Sequence, residues 1–308
     1  MLLNKQQKQL RLPNKNYLLG VKMRHFNLMR IISFSLAIIL MSGCSNSQTL
    51  LAVPEQVSYD DELRIAQISQ QLSQKDIDTA TRIQLIFQRG IVYDSLGFKA
   101  FAQSDFSYLM EFNPEIPDIY NFMGTYALRE GDFDNALMAF NTTLELDPTY
   151  AYAYLNRAIT LYRTGHYKSA ERDAYQFYQY DVNEPIRILW LYLIDKEIDN
   201  EAAQNKLQKR YDLINDKTIY SSDLIAFYLG KINESKLMQN LQQGVESNRQ
   251  LAERLCEAYF YLGKYYQSKG NNERAKMLFK YALANNIYNF VEHQQALYEM
   301  KLLEENEK

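Results

Sequence analysis

From residue 58 onward the apolar positions recur at helical spacing, and no stretch alternates in the manner of a half-buried strand. Over 58–73, Leu63, Ile68 and Leu72 share one face, which predicts an amphipathic helix. A longer period is laid over this pattern. Gly90 and Gly124 stand 34 residues apart with Ala158 at the next step, and Gly97, Gly131 and Gly165 keep the same interval. So do Ala102, Ala136 and Ala170, the pair Phe106 and Phe140, and the turns Asn113-Pro114 and Asp147-Pro148. Agreement at one interval across so many residue types means an internal repeat.

Each repeat reads as two helices. The stretch 117–130 ends at Gly131-Asp132, and 133–146 ends before Asp147-Pro148, where the proline ring blocks continuation. Small residues at 90, 124 and 158 and at 102, 136 and 170 let the paired backbones approach, and Tyr93, Tyr126, Phe106 and Phe140 fill the space between. The pattern resembles the tetratricopeptide repeat (TPR), whose period is about 34 residues. Three units follow, 83–116, 117–150 and 151–184, the last with Ala174 and Val182 in place of Phe and Pro.

Tyr259, Leu262, Gly263, Tyr266, Gly270, Ala275, Phe279 and Ala282 repeat the same order near the end, out of register with the first three units. The chain therefore divides into an N-terminal helix (58–82), three units (83–184), an irregular helical segment (185–250), and a last TPR-like unit with a closing helix (251–308). Short helices are expected at 185–195, 201–211, 221–230 and 235–243, and the closing helix at 289–303. The expected fold class is all-α: a TPR helical-repeat solenoid with additional irregular and capping helices, stabilised by packing between neighbours.

The N-terminal pattern is different. Residues 31–41 form an uncharged apolar run of 11 residues behind Arg24, His25 and Arg30, whereas a membrane-spanning helix needs about 20. This is the layout of an export signal. Met41-Ser42-Gly43-Cys44 resembles the bacterial lipobox, in which the cysteine is acylated and the chain is cut before it. Ser45, not Asp, follows, and by that resemblance the destination is the periplasmic face of the outer membrane. Residues 1–43 are thus expected to be leader and signal peptide, with the true start at Met23, and 44–57 a lipid anchor and tether.

Charge and chemistry narrow the function. The seven basic residues before Cys44 have no acidic counterpart, leaving 27 basic against 37 acidic residues after it. Such a surface disfavours nucleic acid. Cys256 is then a lone thiol in an apolar helical stretch, expected to be buried and inert. His166 and His293 stand apart. Glu292 is next to His293, but adjacent helical residues diverge by about 100°. No metal-ligand cluster, phosphate loop or nucleophile elbow occurs, so no catalytic residue, metal or cofactor is expected.

TPR arrays resemble one another in lining an inner groove with the first helix of each pair. Helical phase then places Gln84, Phe87, Gln88, Ile91 and Asp94 in that groove, with Asp118, Asn121, Phe122, Thr125 and Arg129 from the second unit, and Tyr152, Asn156, Ile159, Tyr162 and Arg163 from the third. Aromatic area, amides and arginines suit an extended peptide. Phe87, Tyr152 and Tyr162 also fit simple packing between units. Replacing Tyr152, Asn156 and Arg163 together is expected to weaken partner binding while sparing helical content.

The resemblance extends to particular runs: the Cys44 signal, residues 89–97 (RGIVYDSLG), 144–150 (LELDPTY) leading to Leu155-Asn156-Arg157, 189–193 (LWLYL), 260–266 (FYLGKYY) and 285–293 (NNIYNFVEH). Together they resemble the NlpI family of TPR lipoproteins of gammaproteobacteria, across roughly 23–303. The resemblance implies a homodimeric outer-membrane adaptor that binds a tail-specific processing protease and presents a murein endopeptidase to it. It also implies a scaffold for cell-wall hydrolases that affects division. Two other readings stand beside it: an assembly lipoprotein of an outer-membrane barrel insertion complex, and a hydrolase, for which no residue cluster is found.

Overall fold

A computed structural model describes residues 49–305, and among them lie fourteen α-helices and no strand. Helix α1 (Tyr59–Leu72) precedes three pairs: α2 (Thr79–Ser95) with α3 (Lys99–Phe112), α4 (Pro117–Glu130) with α5 (Phe133–Leu146), and α6 (Ala151–Arg163) with α7 (Tyr167–Gln179). Then come α8 (Pro185–Ile198), α9 (Asn200–Leu213), α10 (Tyr220–Tyr228) and α11 (Glu234–Asn240). A fourth pair, α12 (Asn248–Ser268) with α13 (Asn272–Leu283), leads to α14 (Val291–Glu305). Cys44 and the export-signal reading lie outside the described residues.

Local chemistry sets the helix limits. Ser58 accepts from the Asp61 amide at 3.1 Å while Asp61 accepts from the Ser58 amide at 3.2 Å, a capping box that starts α1. Gly131 ends α4 with φ of 82°, where a Cβ would be strained, and Asp132 caps α5 through the Asn135 amide. Pro117 and Pro185 occupy the first turns of α4 and α8, where a missing N–H leaves no helix bond unmade.

Within a pair, an aromatic ring lies over a glycine. A Cβ built on Gly90 would meet Phe106 at 2.6 Å, one on Gly124 would meet Phe140 at 2.5 Å, and Gly263 faces Phe279 in the same way. The third pair has Ala158 and Ala174 at these positions, both fully buried. Bidentate ion pairs add to the first and third pairs: Arg89 to Asp105 at 2.9 and 2.7 Å, and Arg157 to Asp173 at 2.6 and 2.8 Å.

Helix α8 is buried on every side from Ile188 to Asp195, which makes it the hub between the repeats and the C-terminal pair. Asp195 is held there by Lys206 and Arg210 of α9, each at 2.7 Å. Helix α14 packs on α12 and α13 and reaches α4. Its Glu299, 1% exposed, pairs with Arg163 of α6 at 2.8 Å and Lys264 of α12 at 2.6 Å. Burial pushes the Glu299 pKa up, but the two cations outweigh it and hold it at about 2.

Residues 50–57, read from the sequence as part of a tether, are docked as a strap against α12 and the turn before α14. Asn248 accepts from the Val53 amide at 2.9 Å and donates to the Val53 carbonyl at 2.8 Å, and Tyr259 donates to the Leu50 carbonyl. The Glu55 amide donates to the Asn285 carbonyl at 3.2 Å. Partners 195 or more positions away leave no local pattern in the sequence. No helix among the described residues is long and apolar enough to cross a membrane.

Candidate functional site

The first helices of the three pairs, together with α8, wall a cavity of about 520 Å³. Ile91, Asp94 and Ser95 close one end from α2, while Asn121, Phe122 and Thr125 come from α4 at the spacing of one helical face. Tyr152, Leu155 and Asn156 come from α6, and Arg187 and Trp190 from α8. The opposite wall is Asn289 and Phe290, with Glu292 and Gln294 on the first turn of α14, and Glu257 of α12.

Hydrogen bonds order this surface. Asn156 Nδ2 donates to Asn121 Oδ1 at 3.0 Å, which ties the second unit to the third. Tyr150 donates to Asp118 at 2.9 Å and Tyr126 to Asp94 at 2.6 Å. The Arg187 guanidinium lies 4.0 Å from the Phe177 ring centre and donates to the Phe177 carbonyl at 2.7 Å. Tyr152, 53% exposed, is the aromatic residue most open to a ligand here.

Besides Asp94, three glutamates face the same space. Glu184 caps α8, accepting from the Ile186 and Arg187 amides at 3.0 and 2.9 Å. Glu292 accepts from Trp190 Nε1 at 2.7 Å and from the Tyr261 hydroxyl at 3.2 Å. Glu257 accepts from the Tyr220 hydroxyl. Burial raises the pKa of all three, and Glu257 is pushed well above the usual carboxylate value. His293 turns away from Glu292 to the Tyr288 ring, and burial lowers its pKa to about 4. The Cys256 thiol is fully buried, and burial raises its pKa well above the ordinary value. No group of three or more His, Cys, Asp or Glu able to hold a metal occurs among the described residues.

Of the sequence-derived groove residues, Ile91, Asp94, Asn121, Phe122, Thr125, Tyr152 and Asn156 meet in this cavity. Phe87, Gln88, Arg129, Tyr162 and Arg163 do not. Phe87 packs on Phe106, with ring centres 6.1 Å apart, and Gln88 is half-buried on α2 outside the cavity. Arg129 lies over the Tyr126 ring at 5.9 Å. Tyr162 and Arg163 correct the sequence reading most clearly. Helix α14 covers them, and Arg163 is spent on Glu299, on Gln295 at 2.8 Å and on the Tyr298 ring at 4.3 Å. Arg187, Trp190, Glu257, Phe290 and Glu292 were missed because they come from outside the 34-residue period. The one signal for them was that the fourth unit is out of register, so that something non-repetitive must pack between.

A second cleft, of about 460 Å³, opens between α3, α4 and α5 and is lined by Met110, Met123 and Met138. Met123 and Ala139 stand there where the other two units carry their Arg and Asp pairs.

A family profile described as tetratricopeptide repeat matches residues 127–172. Among solved structures, the Rap conjugation gene regulator of the plasmid pLS20, in complex with the Phr* peptide, is similar with a TM-score of 0.51 at 14% identity, over 81% of this chain and 72% of that one. A tetratricopeptide repeat protein from Parabacteroides merdae is similar over 79% of this chain and 91% of its own, at 17% identity and a TM-score of 0.46. YrrB, a TPR protein with an unusual peptide-binding site, is 20% identical over 64% of this chain and 97% of its own, with a TM-score of 0.32. The chain is an all-α TPR solenoid, extended by irregular helices and a closing helix.

Proposed function

We propose that the chain is a non-catalytic adaptor that takes an extended segment of a partner protein into the 520 Å³ cavity. The observation that carries this reading is the cavity's make-up, with half-exposed Tyr152 beside the bonded amides Asn121 and Asn156. Tyrosine supplies area that loses water on contact, and the amides can bond a peptide backbone. The similar Rap regulator was solved with a peptide, the class of ligand proposed here.

The finer reading rests on the lipobox and on the sequence runs that resemble NlpI lipoproteins. In it the adaptor hangs by acylated Cys44 from the periplasmic face of the outer membrane and acts as a homodimer. It binds a tail-specific processing protease and brings a murein endopeptidase to it, alongside other cell-wall hydrolases. The mechanism is proximity, because two weak partners on one scaffold meet at an effective concentration in the millimolar range, on the order set by short flexible links. The test is a pulldown from detergent-solubilised envelope with the natural chain and with a Tyr152→Ala, Asn121→Ala double variant of unchanged circular dichroism. Recovery of protease and endopeptidase by the former, cut at least tenfold in the latter, is expected. Recovery of barrel-insertion components instead would support the assembly reading, and equal recovery by both chains would remove the cavity from the mechanism. Labelled palmitate incorporation that survives Cys44→Ala would end the lipoprotein reading.

A further inference from the structure

Resting on that peptide-binding reading, we infer that the cavity selects a peptide carrying a basic side chain, lysine or arginine, seated against Glu257 and Glu292. Elsewhere in the fold, buried carboxylates come with cations. Asp105 has Arg89 at 2.7 Å, Asp173 has Arg157 at 2.6 Å, Asp195 has Lys206 and Arg210, and Glu299 has Arg163 and Lys264. Glu257 and Glu292 break the rule. They are 9% and 4% exposed, and no lysine or arginine of the described residues pairs with either. Their hydrogen bonds come from neutral donors: Tyr220 to Glu257 Oε2, and Trp190 and Tyr261 to Glu292 Oε1. No donor of the described residues reaches Glu257 Oε1, on a side chain that lines the cavity.

The surroundings sharpen the charge argument. Glu184 and Asp94 add two more acids to the same cavity, and Arg187, the single cation among its described lining residues, is engaged with the Phe177 ring and carbonyl. An apolar guest would bury Glu257 and Glu292 still more deeply without relief. A guest ammonium or guanidinium supplies the missing counter-charge in a place of low dielectric, where an unpaired charge is costly. Tyr152, Phe177, Trp190 and Phe290 offer aromatic faces and edges to the methylene stem and to the cation itself.

Trp190 is the sole tryptophan of the chain, lines the cavity and touches Glu292, so its fluorescence reports occupancy directly. Full-length chain in detergent would be immobilised and exposed to a capped, random heptapeptide library, with Glu257→Gln and Glu292→Gln chains of matching circular dichroism in parallel. Lysine or arginine is expected at one position of the retained peptides, enriched at least tenfold. Either glutamine variant is expected to lose that enrichment while the remaining positions of the motif persist. Trp190 titration with the chosen peptide and its lysine-to-norleucine analogue should show at least a tenfold weaker affinity for the analogue in the natural chain, and less than twofold in the variants. Retained peptides without a basic residue, or a basic preference that survives both substitutions, would overturn this inference and leave peptide binding standing. No retained peptide at all would overturn both.

Discussion

At the scale of single residues, the Gly and Phe pairs show how the repeat is built. The sequence period pointed to small residues where helices meet. It also named Phe106 and Phe140 as filling the space between, but not that each ring lies directly on the glycine sixteen positions earlier, or that Ala158 is permitted because Ala174 replaces that ring. Adding a methyl at Gly124 forces Phe140 out of place and is expected to cost about 1–3 kcal/mol by overpacking. Phe140→Ala alone should cost about 3–5 kcal/mol through the void it leaves. The double variant reproduces the pair found in the third unit. Urea unfolding of all four chains is expected to show a double-variant loss smaller than the sum of the single losses. Strict additivity would mean that ring and glycine do not determine one another.

At the scale of elements, α14 decides what the inner surface can offer. Its position explains both the legible and the illegible parts of the site. Asp94, Asn121, Phe122, Tyr152 and Asn156 follow from helical phase and the period, because their surroundings repeat. Arg163 and Tyr162 obey the same phase but lie under a helix more than a hundred positions later, which no local pattern reports. The joint replacement of Tyr152, Asn156 and Arg163 would therefore confound binding with folding. Glu299→Gln isolates the folding part. It leaves Arg163 and Lys264 buried with a neutral partner, and a loss of about 3–5 kcal/mol is expected in chemical unfolding. Because the folded pKa of Glu299 is held at about 2, below its ordinary 4.5, its contribution is complete above about pH 4.5 and fades as pH falls toward 2. That acid limb should be shallower in Glu299→Gln. An identical pH profile in both chains would show that the carboxylate carries no such linkage.

At the scale of the whole molecule, the hydrophobic interior is not uniform. One cluster runs from Leu128 through α8 and α12 to Leu303, while Ile86, Ala102, Phe106, Leu109, Ile119 and Tyr126 form a separate, smaller one around the first pair. The first pair is expected to open on its own. In hydrogen exchange, amides of α2 and α3 should lose protection before those of α8 and α12, and simultaneous exchange would contradict it. Buried titration acts on the entire fold as well. Glu257 and Glu292 have folded pKa values above the ordinary one, so their ionisation opposes folding and stability declines as pH rises beyond the usual carboxylate range. A basic peptide in the cavity relieves that cost and should raise the melting temperature more at pH 8 than at pH 5. The fold class was readable because periodic packing leaves a periodic sequence. The hub at α8 and the strap over 50–57 were less so, since each is defined by partners that do not repeat.

Closure by α14 also bears on how such a chain can lengthen over generations. An open array gains a module by duplication wherever its neighbours stack. Here a copied 34-residue module placed between Arg163 and Lys264 would move the two halves of the Glu299 clasp apart. The number of modules between those two residues is thereby fixed by α14, and diversification there is left to substitution at the cavity lining.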